Sequence, residues 1–279
     1  MTASLSELAN RAQAGEREAL EALVRALQDP LYRLALRFLG HPEAARDATQ
    51  EILILVITQL SSFRGESSIN TWAYRVASRH LLRRKKQQRE VARRFTFDTL
   101  EAELGQPPNA IADTALASAE ERLLEEEIFL GCTQAMLRAL DPPLRIAFVL
   151  GAVLELDASD AARALEISEV AFRKRLSRAR LALDEFVAKN CGVANPAAPC
   201  RCAYQVNHAT RQGRFDPNCL RYASKTARTS LETLRAFGEI AGVRRALELY
   251  RAQPEFRAPE DFAARIRSLI DGATSLTLS

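Results

Sequence analysis

The chain has 279 residues, 47% of them apolar and 27% charged, with a formal net charge of +4 at pH 7. That length holds two or three small domains, and the apolar share is enough for real cores. The sequence does not open with a basic segment followed by an apolar stretch, and its longest strongly apolar run, Ile52–Ile57, is far too short to cross a bilayer, so a cytoplasmic protein with no membrane partner is expected.

Ala, Leu, Arg and Glu dominate, and no long alternating pattern occurs, so the expected fold class is all-α. Leucines and alanines recur at helical spacing from Ala19 to Phe38, with Asp29-Pro30 as an expected break. His41-Pro42 separates that segment from a helix starting near Glu43. On this helix Asp47, Gln50, Glu51 and Ile54 follow the i, i+3, i+4, i+7 rule and share a face. An acidic, polar stripe beside the apolar Ile52–Ile57 run reads as a protein-binding face next to a buried one. A stripe that simply faces water is the other reading.

Gly65 and Ser67-Ser68 form a loop, and Thr71-Trp72 opens the next helix. Trp72 has two readings. It can stack on an unpaired base beside nearby arginines, or it can fill the core, the usual fate of so large a ring. The loop residues Arg64, Glu66, Ser67, Ser68 and Asn70 suit base contact better. The helix runs into Arg79, Arg83, Arg84, Lys85, Lys86, Arg89, Arg93 and Arg94, with Glu90 the one acid among them. The stretch from Phe95 to Ala119 has no Lys or Arg. It contains Asp98, Glu101, Glu103 and Asp113 together with Gln106-Pro-Pro-Asn109, and reads as a loosely ordered acidic linker. Either it balances charge, or it lies across a nucleic-acid path and mimics phosphates.

Beyond the linker, Cys132 stands alone in a helical pattern and is expected in the core. Leu140-Asp-Pro-Pro-Leu-Arg-Ile-Ala-Phe148 begins a further helix. Another pattern ends at Leu165, and Ser168 suits the N-cap of the next. Ile167, Phe172, Leu176, Ala179 and Leu183 give that helix its buried face. Arg173, Lys174, Ser177, Arg178 and Arg180 fall largely opposite. Two short helices joined by a tight turn, the second one basic, read as a DNA-binding helix-turn-helix; a solvated basic helix on an ordinary bundle is the other reading.

The last third, residues 189–279, opens with Cys191-Gly-Val-Ala-Asn-Pro-Ala-Ala-Pro-Cys-Arg-Cys202 and continues to His208 and Cys219. Clustered cysteines in a cytosolic chain favour metal or redox chemistry over structural disulfides. Cys191, Cys200, Cys202 and either His208 or Cys219 can surround a tetrahedral zinc or another soft metal. Cys200 and Cys202 alone suit a redox switch. The spacing is not that of paired C-x2-C knuckles, so an extension without special chemistry is the third reading. Thr226–Tyr250 and a helix opening at Ala258-Pro259 and running through Phe262, Ile266, Leu269 and Ile270 are amphipathic, and such helices need a partner surface.

Taken together, Asp47-Ala-Thr-Gln-Glu-Ile52, Phe63-Arg-Gly-Glu-Ser-Ser68, Thr71-Trp-Ala-Tyr-Arg-Val-Ala77, Leu140–Phe148 and Ile167–Leu183 resemble, in order and spacing, regions 2 and 4 of extracytoplasmic-function (ECF) sigma factors. The resemblance covers roughly residues 18–188. It implies a non-catalytic transcription-initiation subunit with a region 2 bundle (1–94), a linker (95–119), a region 4 helix-turn-helix (120–188) and an added regulatory extension (189–279). Its implied partners are core RNA polymerase and promoter DNA, with an anti-sigma regulator or self-association through the extension as a further partner.

By the same resemblance, Asp47, Gln50 and Glu51 face the arginine-rich clamp helices of polymerase. Arg64, Ser67 and Asn70 lie in the loop that captures the displaced strand of the −10 element, with Trp72 beside them. Arg75, Arg79, Arg83 and Arg84 follow phosphates. Arg173, Lys174, Ser177 and Arg178 enter the −35 major groove. No cofactor is needed for this activity.

Three departures from the family pattern stand out. Glu166 replaces the usual Gly at the turn, at about 1–2 kcal/mol if the backbone there is left-handed. Asp157 replaces Ser at a cap, and Arg79 replaces Asn at a −10 position. A stand-alone metal- or redox-responsive helix-turn-helix repressor is the alternative function, and an RNA-binding adaptor a third. Neither needs a polymerase-facing stripe or a strand-capture loop.

Overall fold

The computed structural model describes residues 4–89, 95–105, 118–223, 231, 234, 245–259, 261–265 and 267. The described residues fold into helices, and their sole β feature is an isolated bridge between Cys191 and Cys200. The expected all-α class therefore holds. The chain forms two compact units, one of residues 1–92, 154–173 and 255–279, the other of 93–153 and 174–254.

The first unit is built on α1 (Leu5–Gln13), α2 (Arg17–Leu39), α3 (Pro42–Thr58) and α4 (Ile69–Arg89). Ser4 and Glu7 close a reciprocal capping box on α1. The apolar faces of α2 (Leu23, Leu27, Leu31, Leu34, Phe38) and α3 (Ile52, Leu53, Val56) meet those of α4 (Ile69, Ala73, Ala77, Leu81), all buried. Pro30 does not break α2 as expected; the helix runs through it. One lost backbone hydrogen bond is local, whereas buried leucines on both sides of Pro30 hold the helix in register. Gly40 ends α2 at φ 77°, the left-handed position that favours glycine, and donates to Leu36 O at 2.8 Å. Pro42 starts α3 at a position where its missing N–H costs nothing.

The same unit holds α8 (Ala158–Leu165), packed on α4, and the first turns of α9 (Glu169–Asn190). It also takes in the segment from Glu255, whose Phe262 is fully buried. Asp29 and Gln28 of α2 accept the Ala258 and Phe262 N–H groups at 2.9 and 3.1 Å. Residues 262–265 and 267 are helical, as expected; Ile266 and residues 268–279 lie outside the described residues.

The second unit contains α5 (Phe97–Leu104), α6 (Ala119–Ala139), α7 (Pro142–Phe148), most of α9, α10 (Cys202–Arg211) and α11 (Ala246–Arg251). Part of the stretch read as a loose linker is therefore helix. Thr96 caps α5, and Leu100 and Leu104 are buried. Two apolar residues four apart on a capped turn are enough to dock it despite the acidic composition. The Pro-Pro stretch 106–117 lies outside the described residues. So does most of the amphipathic Thr226–Tyr250 pattern, although Leu231, Leu234, Leu249 and Tyr250 are buried.

Candidate nucleic-acid interface and thiol cluster

The loop before α4 is fixed from both sides. The Gln13 side-chain amide donates to the Leu60 and Phe63 carbonyls, each at 2.8 Å. The Ser68 hydroxyl accepts the Thr71 N–H at 3.1 Å and caps α4. Arg64 is exposed, and Ser67 and Asn70 are half-buried. Asn70 Oδ1 is buried without a hydrogen-bond partner.

Trp72, grouped with the −10 residues, needs correction. It is 3% exposed, with its ring 5.7 Å from that of Phe63. The first turn of α4 aims it inward, so of its two readings the structure bears the core one.

Farther along α4, Arg79 and Arg83 are exposed, while Arg75 and Arg84 are half-buried. On α3, Asp47 pairs with Arg46 at 3.2 Å. Glu51 lies 3.0 Å from both Arg84 and His80. Burial pushes the His80 imidazole below its usual range against the opposing pull of Glu51. Glu51 and Arg84, assigned to different partners from sequence, thus touch each other. Asp47 and Glu51 keep half of their side-chain surface, and Gln50 beside them is half-buried.

Asp157 caps α8 by accepting the Asp160 N–H at 2.8 Å, and its carboxyl is held low by that bond. Ser168 accepts the Ala171 N–H at 3.2 Å at the start of α9. Between the two helices Glu166 takes φ 54° and ψ 45°, the left-handed conformation expected to cost a non-glycine residue. Its carboxylate accepts both Arg79 Nε, at 2.6 Å, and Arg79 Nη2. Phe172, Ala179 and Leu183 bury one face of α9, and Arg173, Lys174, Ser177, Arg178 and Arg180 stand exposed opposite. Arg173 reaches back to Glu169 at 2.6 Å.

In the second unit the extension is gripped by α6. Glu125, Glu126 and Glu127 are all buried. Glu127 accepts the N–H groups of Arg221, Tyr222 and Ala223 at 2.8, 2.8 and 2.7 Å, and Glu126 that of Leu231 at 3.0 Å. The Tyr250 hydroxyl donates to Thr133 O at 2.9 Å. Sequence reasoning missed these three glutamates. Consecutive acids on a helix read as a solvated face, and only the backbone brought against them shows otherwise.

The cysteines sort differently from expectation. Cys191 and Cys200 sit side by side in the backbone bridge, with Gly192 N donating to Cys200 O and Cys200 N to Asn190 O, each at 3.1 Å. Cys202 is the first residue of α10, which packs on α6, the helix of Cys132. Burial pushes the thiols of Cys132, Cys191 and Cys202 up, and that of Cys200 to about 12. Cys219 is exposed. The His208 ring stacks on Tyr204 and bonds Tyr204 and Gln212. Of the expected fourth ligands, His208 is thus engaged by Tyr204 and Gln212, and Cys219 faces outward. Among the described residues no group of three or more His, Cys, Asp or Glu side chains could hold a metal ion. No described helix is long and apolar enough to cross a membrane.

Comparison with known proteins gives two family matches, to Sigma-70 region 2 over residues 23–91 and to Sigma-70 region 4 over residues 130–183. The chain is 30% identical over 183 residues to the RNA polymerase sigma-H factor of Pseudomonas aeruginosa, covering 64% of this chain and 91% of that protein. It is 28% identical over 183 residues to the ECF RNA polymerase sigma-E factor of Escherichia coli K12, covering 64% and 92%. Among solved structures, CnrH in complex with the cytosolic domain of CnrY aligns with a TM-score of 0.45 and 22% identity, over 64% of this chain and 94% of that one.

Proposed function

Since this chain belongs to the ECF group of sigma-70-type RNA polymerase sigma factors, we propose that it divides promoter recognition between the exposed basic residues of α4 and those of α9, and that its own C-terminal extension controls it. It is a transcription-initiation factor, and the nucleotide chemistry belongs to the polymerase. Its place of work is the cytoplasm, with core polymerase and promoter DNA.

One observation carries the division of labour. The two family matches, in order along the chain, contain two separate sets of exposed cationic side chains: Arg64 in the loop before α4 with Arg79 and Arg83 on that capped helix, and Arg173, Lys174 and Arg178 on α9. Arg75, Arg84 and the loop residues Ser67 and Asn70 complete the −10 surface, and Ser177 completes the −35 surface. A helix with several arginines pairs with phosphate and guanine edges. Asp47, Gln50 and Glu51 form the polymerase-facing stripe, where partly exposed acids meet arginines.

Two contacts support control from within the chain. The segment at Phe262 covers α2 of the promoter-opening bundle. Arg79 is held by Glu166 of the helix-turn-helix. The −35 and −10 elements lie about 25 base pairs apart, roughly 85 Å along the duplex, so a sigma factor cannot read both while Arg79 and Glu166 touch. The contact defines a resting state that polymerase and DNA must open. The cysteine-bearing part of the extension supplies the signal by binding a soft metal or by thiol oxidation. An anti-sigma protein or a second copy is a further partner for its exposed faces.

Run-off transcription with purified core polymerase and no other factor tests the proposal. Promoter-specific transcripts support it. Promoter binding without polymerase and without transcripts identifies the repressor alternative instead.

A further inference from the structure

The outward face of α9 is not uniformly polar. Val170 and Leu181 are the most exposed large apolar side chains among the described residues, each at 59%. Val170 stands in the first turn of the helix. At about 100° per residue it lies close to opposite Phe172, Ala179 and Leu183, whose side chains bury the inner face. Lys174, at i+4, and Ser177, at i+7, share its outward line, with Arg173 and Arg178 to either side, all exposed. Val170 therefore forms the N-terminal end of the cationic face and points the way the cations point.

Neither packing nor helix formation accounts for a valine at this place. Its side chain faces away from the core, and a β-branched residue is a weaker helix former than alanine. What valine offers is a rigid pair of methyl groups, because in a helix its χ1 is held almost entirely to one rotamer. The turn that carries it is fixed as well, since the Ser168 hydroxyl accepts the Ala171 N–H at 3.2 Å. An apolar side chain that loses little freedom on contact, set among cations that draw in phosphate, fits one feature of duplex DNA. In the major groove thymine presents a C5 methyl group, and apolar contact with it distinguishes thymine from the other bases. The N-terminal residues of a recognition helix are the ones that reach base edges. Leu181 shares the arc but stands roughly 16 Å farther along the helix axis, beyond that reach.

We propose that Val170 is a specificity-determining residue that packs on the C5 methyl of a thymine in the −35 element. The inference rests on the assignment of α9 to −35 readout given above and adds a base identity to it. The arginines and Lys174 supply attraction to phosphate and hydrogen bonds to guanine edges; Val170 supplies the one contact on that face that only a methyl group satisfies.

The test uses holoenzyme reconstituted from the full chain and core polymerase. The parent, Val170→Ala, Val170→Ile, Lys174→Ala and Arg178→Ala each select from duplexes randomised over the promoter. Deoxyuridine then replaces each thymine of the parent's selected −35 element in turn, which removes the methyl and leaves every hydrogen-bonding group in place. One such exchange is expected to weaken parent binding about fourfold, the worth of one buried methyl group. Val170→Ala should relax selection at that position and bind the thymine and uracil duplexes alike. Val170→Ile, still apolar and β-branched, should keep the distinction. Circular dichroism checks the helical content of each variant.

A parent indifferent to every thymine-to-uracil exchange overturns the inference. So does a Val170→Ala holoenzyme that keeps the parent's preference for thymine over uracil. If Lys174→Ala and Arg178→Ala still relax sequence selection, the −35 reading stands without Val170. If they too leave selection unchanged, α9 is not the reading helix and both fall.

Discussion

Arg79 on α4 and Glu166 at the turn between α8 and α9 form a two-pronged ion pair, Nε to Oε2 at 2.6 Å. Both residues depart from the family pattern, where the sequence reading expects Asn and Gly. Here a cation of the proposed −10 surface is occupied by the one residue whose backbone is strained to make the turn between α8 and α9. The pair is half exposed and worth about 0.5 kcal/mol in stability. Its weight lies in what it excludes: Arg79 cannot meet a phosphate while Glu166 holds it.

Replacing Glu166 by Gly should remove the left-handed strain, about 1 kcal/mol, and free Arg79. Holoenzyme carrying Glu166→Gly is expected to bind promoter DNA several-fold more tightly at moderate salt, with thermal stability equal to or above that of the parent. Glu166→Gln, which keeps the strain but loses the charge, separates the two effects. Weaker promoter binding by both variants would show that Glu166 serves recognition rather than rest.

The same pair predicts a pH dependence. The Arg79 guanidinium holds the Glu166 carboxyl below its usual range, and Glu166 in turn raises Arg79. A depressed folded value means the contribution is complete above the ordinary carboxylate range and is lost as pH falls through the folded value. The stability gap between parent and Glu166→Gln, from urea unfolding, should therefore be constant between neutral and mildly acidic pH and close below about pH 4. A gap that widens on acidification would contradict the pairing.

Core binding should depend on the α3 stripe. Asp47→Arg is the cleaner variant, because Glu51 already neutralises Arg84, and Glu51→Arg would set two arginines together. Asp47→Arg is expected to weaken core-polymerase binding at least tenfold with helical content unchanged; the double variant should abolish it. Native affinity in a pull-down with Asp47→Arg would remove this face from the polymerase interface.

On α9, Arg178 is free of intramolecular ion pairs among the described contacts, while Arg173 is paired with Glu169. Arg178→Ala should cost about 1–3 kcal/mol of promoter discrimination if it makes a bidentate base contact. Arg173→Ala should cost less, since its first partner lies in its own helix. Equal losses on all DNA sequences would mark phosphate contacts instead. Core-polymerase binding should survive in both.

The grip of α6 on the extension predicts a large effect from one carboxylate. Glu127→Ala removes the acceptor of three partly buried backbone N–H groups and leaves a gap where a buried carboxylate stood. The expected loss is about 1–2 kcal/mol, because charge-assisted bonds are the costly ones to break but water reaches the freed N–H groups in part. Limited proteolysis after residue 219 should become many times faster. Unchanged proteolysis would mean that the apolar contacts around Tyr250 hold the extension without the glutamate.

What the sequence by itself determined here is local. Helix periodicity, the caps at Asp157 and Ser168, the basic face of α9 and the burial of Phe172, Ala179 and Leu183 all depend on residues within a few positions of one another, and each was legible before the fold. Glu166 was marked as a turn residue through the family resemblance, and its left-handed backbone came from the structure. Pro30 and α5 were misread because local breaking or acidic composition lost to leucines docked on distant helices, which no window contains. The core position of Trp72 depended on where the first turn of α4 points against Phe63. Which groups meet across long separations was decided by tertiary structure alone: Arg79 with Glu166, Glu127 with the backbone at Arg221–Ala223, and the Tyr250 hydroxyl with the Thr133 carbonyl. A side chain's type states what chemistry it can do. Its partner is set by which apolar faces must be buried together, and that is a property of the whole chain.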